Sequence, residues 1–190
     1  MEKDREKWNK KYKEEEYPWE KPSEIVEKFY TLAKNKGKAL DLACGLGRNS
    51  IFLAKKGFKV DAVDISDVAL KKLKEKAPEV NTINADLDTY NIPENTYDLI
   101  ININYLNRRL VPQIKEGLKK DGLLIFETFT LSEDKDIMQP KNKDYLLRPN
   151  ELLRLFSDLY IVFYQEKKIT KPNGEKAFVS SLVAIKKCFL

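Results

Sequence analysis

The sequence predicts an α/β protein with a seven-stranded, mostly parallel sheet, doubly wound by helices and finished by a C-terminal antiparallel hairpin. Three observations predict it. Short apolar runs alternate with helical segments from Lys38 to Thr128, the pattern of a parallel sheet with crossover helices. The first of these strands runs straight into a glycine-bearing turn, Cys44-Gly45-Leu46-Gly47. The last two strands are joined too briefly for a parallel crossover and must pair antiparallel.

Each element follows from local pattern. Lys3 to Glu16 reads as a polar helix with Trp8 and Tyr12 on one face, broken by Tyr17-Pro18-Trp19. Ser23 starts a second helix, Glu24 to Lys34, carrying Ile25, Phe29 and Leu32. Strand Lys38–Ala43 leads to a helix through Ser50–Lys56, and strand Lys59–Asp64 to a helix capped by Ser66 and ending before Pro78. Val80–Asn84 and Tyr97–Ile103 are the third and fourth strands. A helix over Leu110–Lys120 ends at Asp121-Gly122, before a fifth strand at Leu123–Thr128. A long segment from Thr130 to Leu147 precedes a short helix near Pro149. Strands Leu159–Glu166 and Ala177–Lys186, with a turn at Pro172-Asn173-Gly174, complete the sheet.

At 190 residues, 42% hydrophobic and 11% aromatic, the chain suits one domain over 1–190, with residues 1–35 as an N-terminal helical lid or cap. No apolar run is long enough to cross a bilayer, and the charged start is unlike a signal peptide, so a soluble, cytoplasmic protein is expected. Histidine is absent. That excludes a Ser-His-Asp triad and the commonest general base and metal ligand. Cys44 and Cys188 lack metal-ligand spacing, so neither a metal nor a disulfide framework is expected. The net charge of +5 is spread over interleaved Lys and Glu, as on a solvated surface, and a nucleic-acid partner is not expected.

The chemistry concentrates at strand ends. Gly45 and Gly47 let backbone turn tightly and approach a ligand, and the following helix offers free N–H groups to an anionic group. Asp64 closes the second strand 19 residues after Gly45, where a carboxylate can accept both hydroxyl protons of a ribose. Asp86 follows the third strand, placed to accept from an adenine amino group while Leu87 packs on the ring. Asp41, Asp64 and Asp86, three acids in this register, favour a nucleoside ligand.

Ala39-Leu40-Asp41-Leu42-Ala43-Cys44-Gly45-Leu46-Gly47-Arg48-Asn49-Ser50, followed by Val63-Asp64-Ile65-Ser66, resembles motifs I and II of class I S-adenosylmethionine (SAM)-dependent methyltransferases. The Cys-Gly-x-Gly-Arg-Asn form is similar to the tellurite-resistance (TehB-like) branch. The resemblance continues through Tyr97-Asp98-Leu99-Ile100, Gly122-Leu123-Leu124-Ile125 and Leu147-Arg148-Pro149-Asn150-Glu151-Leu152. It implies a Rossmann-like methyltransferase fold with SAM as cofactor. Asp41, Ala43, Gly45 and Gly47 would hold the methionine portion, with Arg48 and Asn49 at the helix start. Asp64 and Ile65 would hold the ribose, Asp86 and Leu87 the adenine, and the Asn102 carbonyl the methionine amino group.

Ligands bind at the carboxyl edge of such sheets, so Tyr105, Arg108, Glu127 and Arg148 are the candidates for acceptor and catalytic roles. Methyl transfer from a sulfonium needs no protonated leaving group, which suits a chain without histidine. The expected acceptor is a small molecule, a thiol or a chalcogen oxyanion such as selenite or tellurite. A protein or RNA target and a non-catalytic SAM-binding module are the alternatives. Monomer and homodimer both remain open.

Overall fold

In a computed structural model, the structure describes residues 2–14, 21–137, 139–140, 142–171 and 173–187. The sheet is built from β1 (Lys38–Leu42), β2 (Lys59–Asp64), β3 (Asn81–Asn84), β4 (Tyr97–Ile103), β5 (Leu118–Phe129), β6 (Tyr160–Thr170) and β7 (Lys176–Ile185). Their order is β3-β2-β1-β4-β5-β7-β6. The first five pair in parallel and β7 runs antiparallel to both β5 and β6. Every residue of β4 is buried, as a central strand covered on both faces requires.

Alternation along the strands divides the core. Leu40, Leu42, Ile100, Leu124 and Phe126 face one side with Leu110, Ile114 and Phe156. These last come from α5 (Leu110–Gly117) and the turn after α6 (Glu151–Leu155). Ala39, Leu99, Ile101 and Ile125 face the other with Leu53 and Leu73, from α3 (Arg48–Lys55) and α4 (Asp67–Lys76). Asp41 is in phase with Ala39 and therefore points beneath α3.

The boundaries depart from the sequence pattern at several places. The second helix, α2 (Glu24–Phe29), tightens into a 3-10 turn at Tyr30–Leu32. α5 stops at Gly117 because Leu118 already pairs with Tyr97. α6 begins at Glu151, after Asn150 takes up left-handed backbone with φ 60°. The hairpin is longer than its apolar core, with pairing continuing out to Thr170↔Lys176. Pro172 of its turn lies outside the described residues, as do Tyr17, Trp19 and Cys188.

The N-terminal helix, α1 (Glu2–Glu14), is docked on α4. Asn9 Nδ2 donates to Asp67 Oδ1 at 2.7 Å, and Ser66 Oγ donates to Asn9 Oδ1 at 2.6 Å. Lys72 Nζ donates to the Tyr12 carbonyl at 2.5 Å. Ser66 thus serves twice, since its Oγ also accepts from Ala69 N as the N-cap of α4. Among the described residues, no helix is long and apolar enough to cross a membrane.

Candidate active site

The carboxyl ends of β1, β2 and β4 open onto a cavity of about 640 Å³, a volume within the range of small-ligand sites. At its base the chain turns left-handed three times, at Ala43 (φ 54°), Gly45 (φ 55°) and Gly47 (φ 74°). A Cβ on Gly47 would come within 2.3 Å of Leu73 Cδ1, and one on Gly45 within 2.6 Å of Tyr12 Oη. Glycine therefore lets the loop pack on α4 while α1 closes over it.

Beneath this loop, Asp41 is 2% exposed and accepts from Ser50 Oγ at 2.6 Å. Burial pushes its carboxyl up to about 7, against the lowering effect of the Ser50 hydrogen bond and the Arg48 charge. Ser50 stands where a dinucleotide fingerprint has its third glycine, and its hydroxyl gives that position a partner for the acid. Asn49 is buried and its Oδ1 accepts from Ser23 N at 2.9 Å, tying the start of α2 to the loop.

Asp64 is likewise buried, and burial raises its carboxyl. Its Oδ2 accepts from Gly45 N and its Oδ1 from Ser66 N, both at 2.8 Å. A carboxylate has about four lone-pair sites, so each oxygen keeps acceptor capacity for a ligand. Asp86 Oδ1 accepts from Asp88 N at 2.9 Å, whereas its Oδ2 is buried without a hydrogen-bond partner. A buried carboxylate oxygen in that state is a strong acceptor awaiting a donor. Ile65 and Leu87 line the same end.

Most residues expected to hold the cofactor, from Asp41 to Leu87, line this one cavity. Asn102 sits behind its wall, its amide donating to the Tyr105 carbonyl at 2.6 Å, while Ile103 and left-handed Asn104 form the lining. Cys44 has its thiol pushed well above its ordinary value by burial and by Asp41 and Asp64.

The four candidate acceptor-side residues are spread apart. Tyr105 lines the cavity, its phenol pushed up to about 12 by burial. Arg108 also lines it, but its guanidinium grips Glu151 through Nε–Oε1 at 2.6 Å and Nη2–Oε2 at 3.0 Å. Glu127 opens instead onto a neighbouring groove, accepts from Ser181 Oγ at 2.6 Å, and has its carboxyl raised by burial. Arg148 is exposed, and its backbone N–H donates to Glu151 Oε2. Sequence reasoning missed Phe129, Pro140 and Tyr145 as lining residues. The last two lie in the Thr130–Leu147 segment, which has no periodic pattern to locate it.

The residues fit SAM. A glycine cradle, a buried carboxylate with spare lone pairs and an orphaned carboxylate oxygen occupy one chamber in the order that methionine, ribose and adenine would need.

A family model described as a methyltransferase domain matches residues 39–122. The chain is 32% identical over 139 residues to the Haemophilus influenzae protein named "Probable S-adenosyl-L-methionine-dependent methyltransferase TehB", covering 68% of this chain and 48% of that protein. It therefore spans about half that relative's length. It is 33% identical over 114 residues to the Rattus norvegicus protein named "Arginine-hydroxylase NDUFAF5, mitochondrial", covering 56% of this chain and 33% of that one. The crystal structure of TehB from Haemophilus influenzae superposes with a TM-score of 0.74 at 24% identity, covering 96% of this chain and 67% of that chain. The fold, the matched domain and the composition of the cavity agree, and the chain belongs to the class I SAM-dependent methyltransferases.

Proposed function

We propose that this chain transfers a methyl group from SAM to a small-molecule acceptor, a thiol or a chalcogen oxyanion, within one domain spanning 1–190 in the cytoplasm. The observation that carries the reading is the single chamber holding Asp41, Asp64 and the unpartnered Asp86 Oδ2 together with Tyr105 and the β4–α5 loop. SAM supplies an electrophilic methyl carbon on a sulfonium. The N–H groups at the start of α3 receive the methionine carboxylate, Asp64 the ribose hydroxyls and Asp86 the adenine amine. Tyr105 and the residues after it hold the acceptor in line with the methyl carbon. Orientation of two bound reactants lowers the barrier without a strong base.

The test is isothermal titration with SAM, followed by S-adenosylhomocysteine release across thiols, selenite and tellurite. Saturable SAM binding and product release with a small acceptor are expected. Binding of neither SAM nor S-adenosylhomocysteine overturns the proposal.

A protein or RNA acceptor is the second reading. The groove beside the cavity is lined by Lys13, Lys21, Lys28, Lys72, Lys76 and Lys167, and meets the cavity at Leu46, Arg48 and Asn104. Product release that requires a macromolecular fraction of cell extract would favour it.

A further inference from the structure

The cavity wall also carries an aromatic and apolar set, Tyr105, Leu106, Phe129, Pro140 and Tyr145. Tyr105 packs against the core, while Tyr145 keeps 51% of its surface in water. A large aromatic ring left exposed at a cavity mouth is suited to cover an apolar ligand.

The arginines at this end are already engaged. Besides its paired contact with Glu151, Arg108 donates from Nη1 to the Asp144 carbonyl at 2.9 Å and from Nη2 to the Leu146 carbonyl at 3.0 Å. Arg109 Nη2 donates to the carbonyls of Leu87 and Tyr90 at 3.0 and 2.6 Å. Both side chains brace loops around the chamber. The other lining cations belong to different parts of it. Arg48 donates to the Lys21 carbonyl beside the glycine loop, and Lys7 lies over the Trp8 ring on α1. Asp88 and Asp144 line the chamber near Tyr105 and Tyr145. An oxyanion would meet arginines whose charge is already shared with Glu151 and with loop carbonyls, and it would have to approach these carboxylates, which is unfavourable.

We infer that the acceptor is a compact, apolar-bodied molecule that binds without negative charge, a neutral thiol or an amine, selected by Tyr105, Phe129 and Tyr145. This rests on the methyl transfer proposed above and removes chalcogen oxyanions from its acceptors. A lone pair of the neutral thiol sulfur forms the bond to the methyl carbon as the sulfonium carbon–sulfur bond breaks, and that electron pair stays on the sulfur of S-adenosylhomocysteine. The methylated sulfur then gives its proton to water, leaving a neutral thioether.

Benzyl mercaptan, benzylamine, selenite and tellurite are compared by titration into S-adenosylhomocysteine-loaded protein and by turnover with SAM. We expect saturable binding of at least one benzyl probe, weakened about tenfold in Phe129→Ala and in Tyr145→Ala, as for loss of an aromatic contact. The SAM Kd of both variants stays within about twofold of the parent. Tyr145 is exposed, so its variant keeps the test open if Phe129→Ala fails to fold. Selenite or tellurite turnover equal to that of the benzyl probes overturns the inference, as does no saturable binding of either benzyl probe. Loss of SAM binding in the parent protein would instead bring down the methyl-transfer reading itself.

Discussion

Asp41 is the residue whose surroundings predict most. With its carboxyl near 7, it is part-protonated at neutral pH. A cationic ligand favours the carboxylate, so SAM binding should release a proton and tighten as pH rises to about 7, then level off. Calorimetry in buffers of different ionisation enthalpy reads that proton directly. A pH-independent Kd would remove Asp41 from the ligand's surroundings. The folded carboxyl lies above its unfolded value of 3.8, so the folded state binds this proton more tightly. Its contribution to stability is full below about pH 4 and is lost as pH rises through about 7, on the order of 4 kcal/mol. Asp64 and Glu127 are shifted the same way. Asp41→Asn should therefore flatten the fall in melting temperature between about pH 5 and about pH 8. Asp64→Ala should raise the SAM Kd about tenfold to a hundredfold with far-UV circular dichroism unchanged, the loss expected for hydrogen bonds to a charged acceptor. Asp41, Gly45, Asp64 and Asp86 were legible because each stands at a fixed offset from a strand end. Arg108 was legible as a rare arginine, yet its partner Glu151 lies 43 residues away and only packing brings them together.

Among the elements, α1 is tied to α4 by Asn9, which bonds Ser66 and Asp67, and by Lys72, which bonds the Tyr12 carbonyl. Asn9→Ala removes two of these bonds. It should speed proteolytic cleavage within α1 and weaken SAM binding by about fivefold, as about 1 kcal/mol of clasp is lost. Equal cleavage of variant and parent would show that α1 is held without Asn9, by contacts such as the Lys72 bond and the aromatic face where Trp8 and Tyr12 stack at 5.8 Å. At the glycine loop, Gly47→Ala combines left-handed backbone with a 2.3 Å approach to Leu73. A loss of at least about 2 kcal/mol of stability is expected, read as a lowered denaturant midpoint. Strand cores were readable from apolar runs. Helix ends were less so, because α5 yields to pairing between Leu118 and Tyr97, a contact that no local propensity encodes.

For the whole molecule, ligand and fold are linked by mass action. SAM at about 100 times its Kd should add about 2.7 kcal/mol to stability and raise the melting temperature by roughly 5–10 °C. An unchanged melting temperature at that occupancy would mean that unfolded chain binds SAM equally well. The parallel half of the sheet was predictable as parallel, since strands joined through helices cross over in one sense, but the return of β4 to the free edge of β1 was not. The hairpin was predictable as a pair, but not the fact that β7 rather than β6 joins β5. Both strands are long, and burial of Val179, Leu182 and Val183 against the core decides between them, while β6 stays half-buried at the sheet edge.

That placement of β7 also leaves completion of the sheet to the C-terminal hairpin. Strands β1 to β4 with their helices, which carry most of the SAM contacts, form one consecutive stretch and can associate through relatively local contacts. β5 gains its second neighbour only when β7, the last strand in the described chain, threads between it and β6. Until then β5 presents an open edge able to pair with another molecule. The nucleotide cradle thus lies in the part of the sheet that does not wait for the hairpin, while the edge of β5 stays open to misassembly until the hairpin docks.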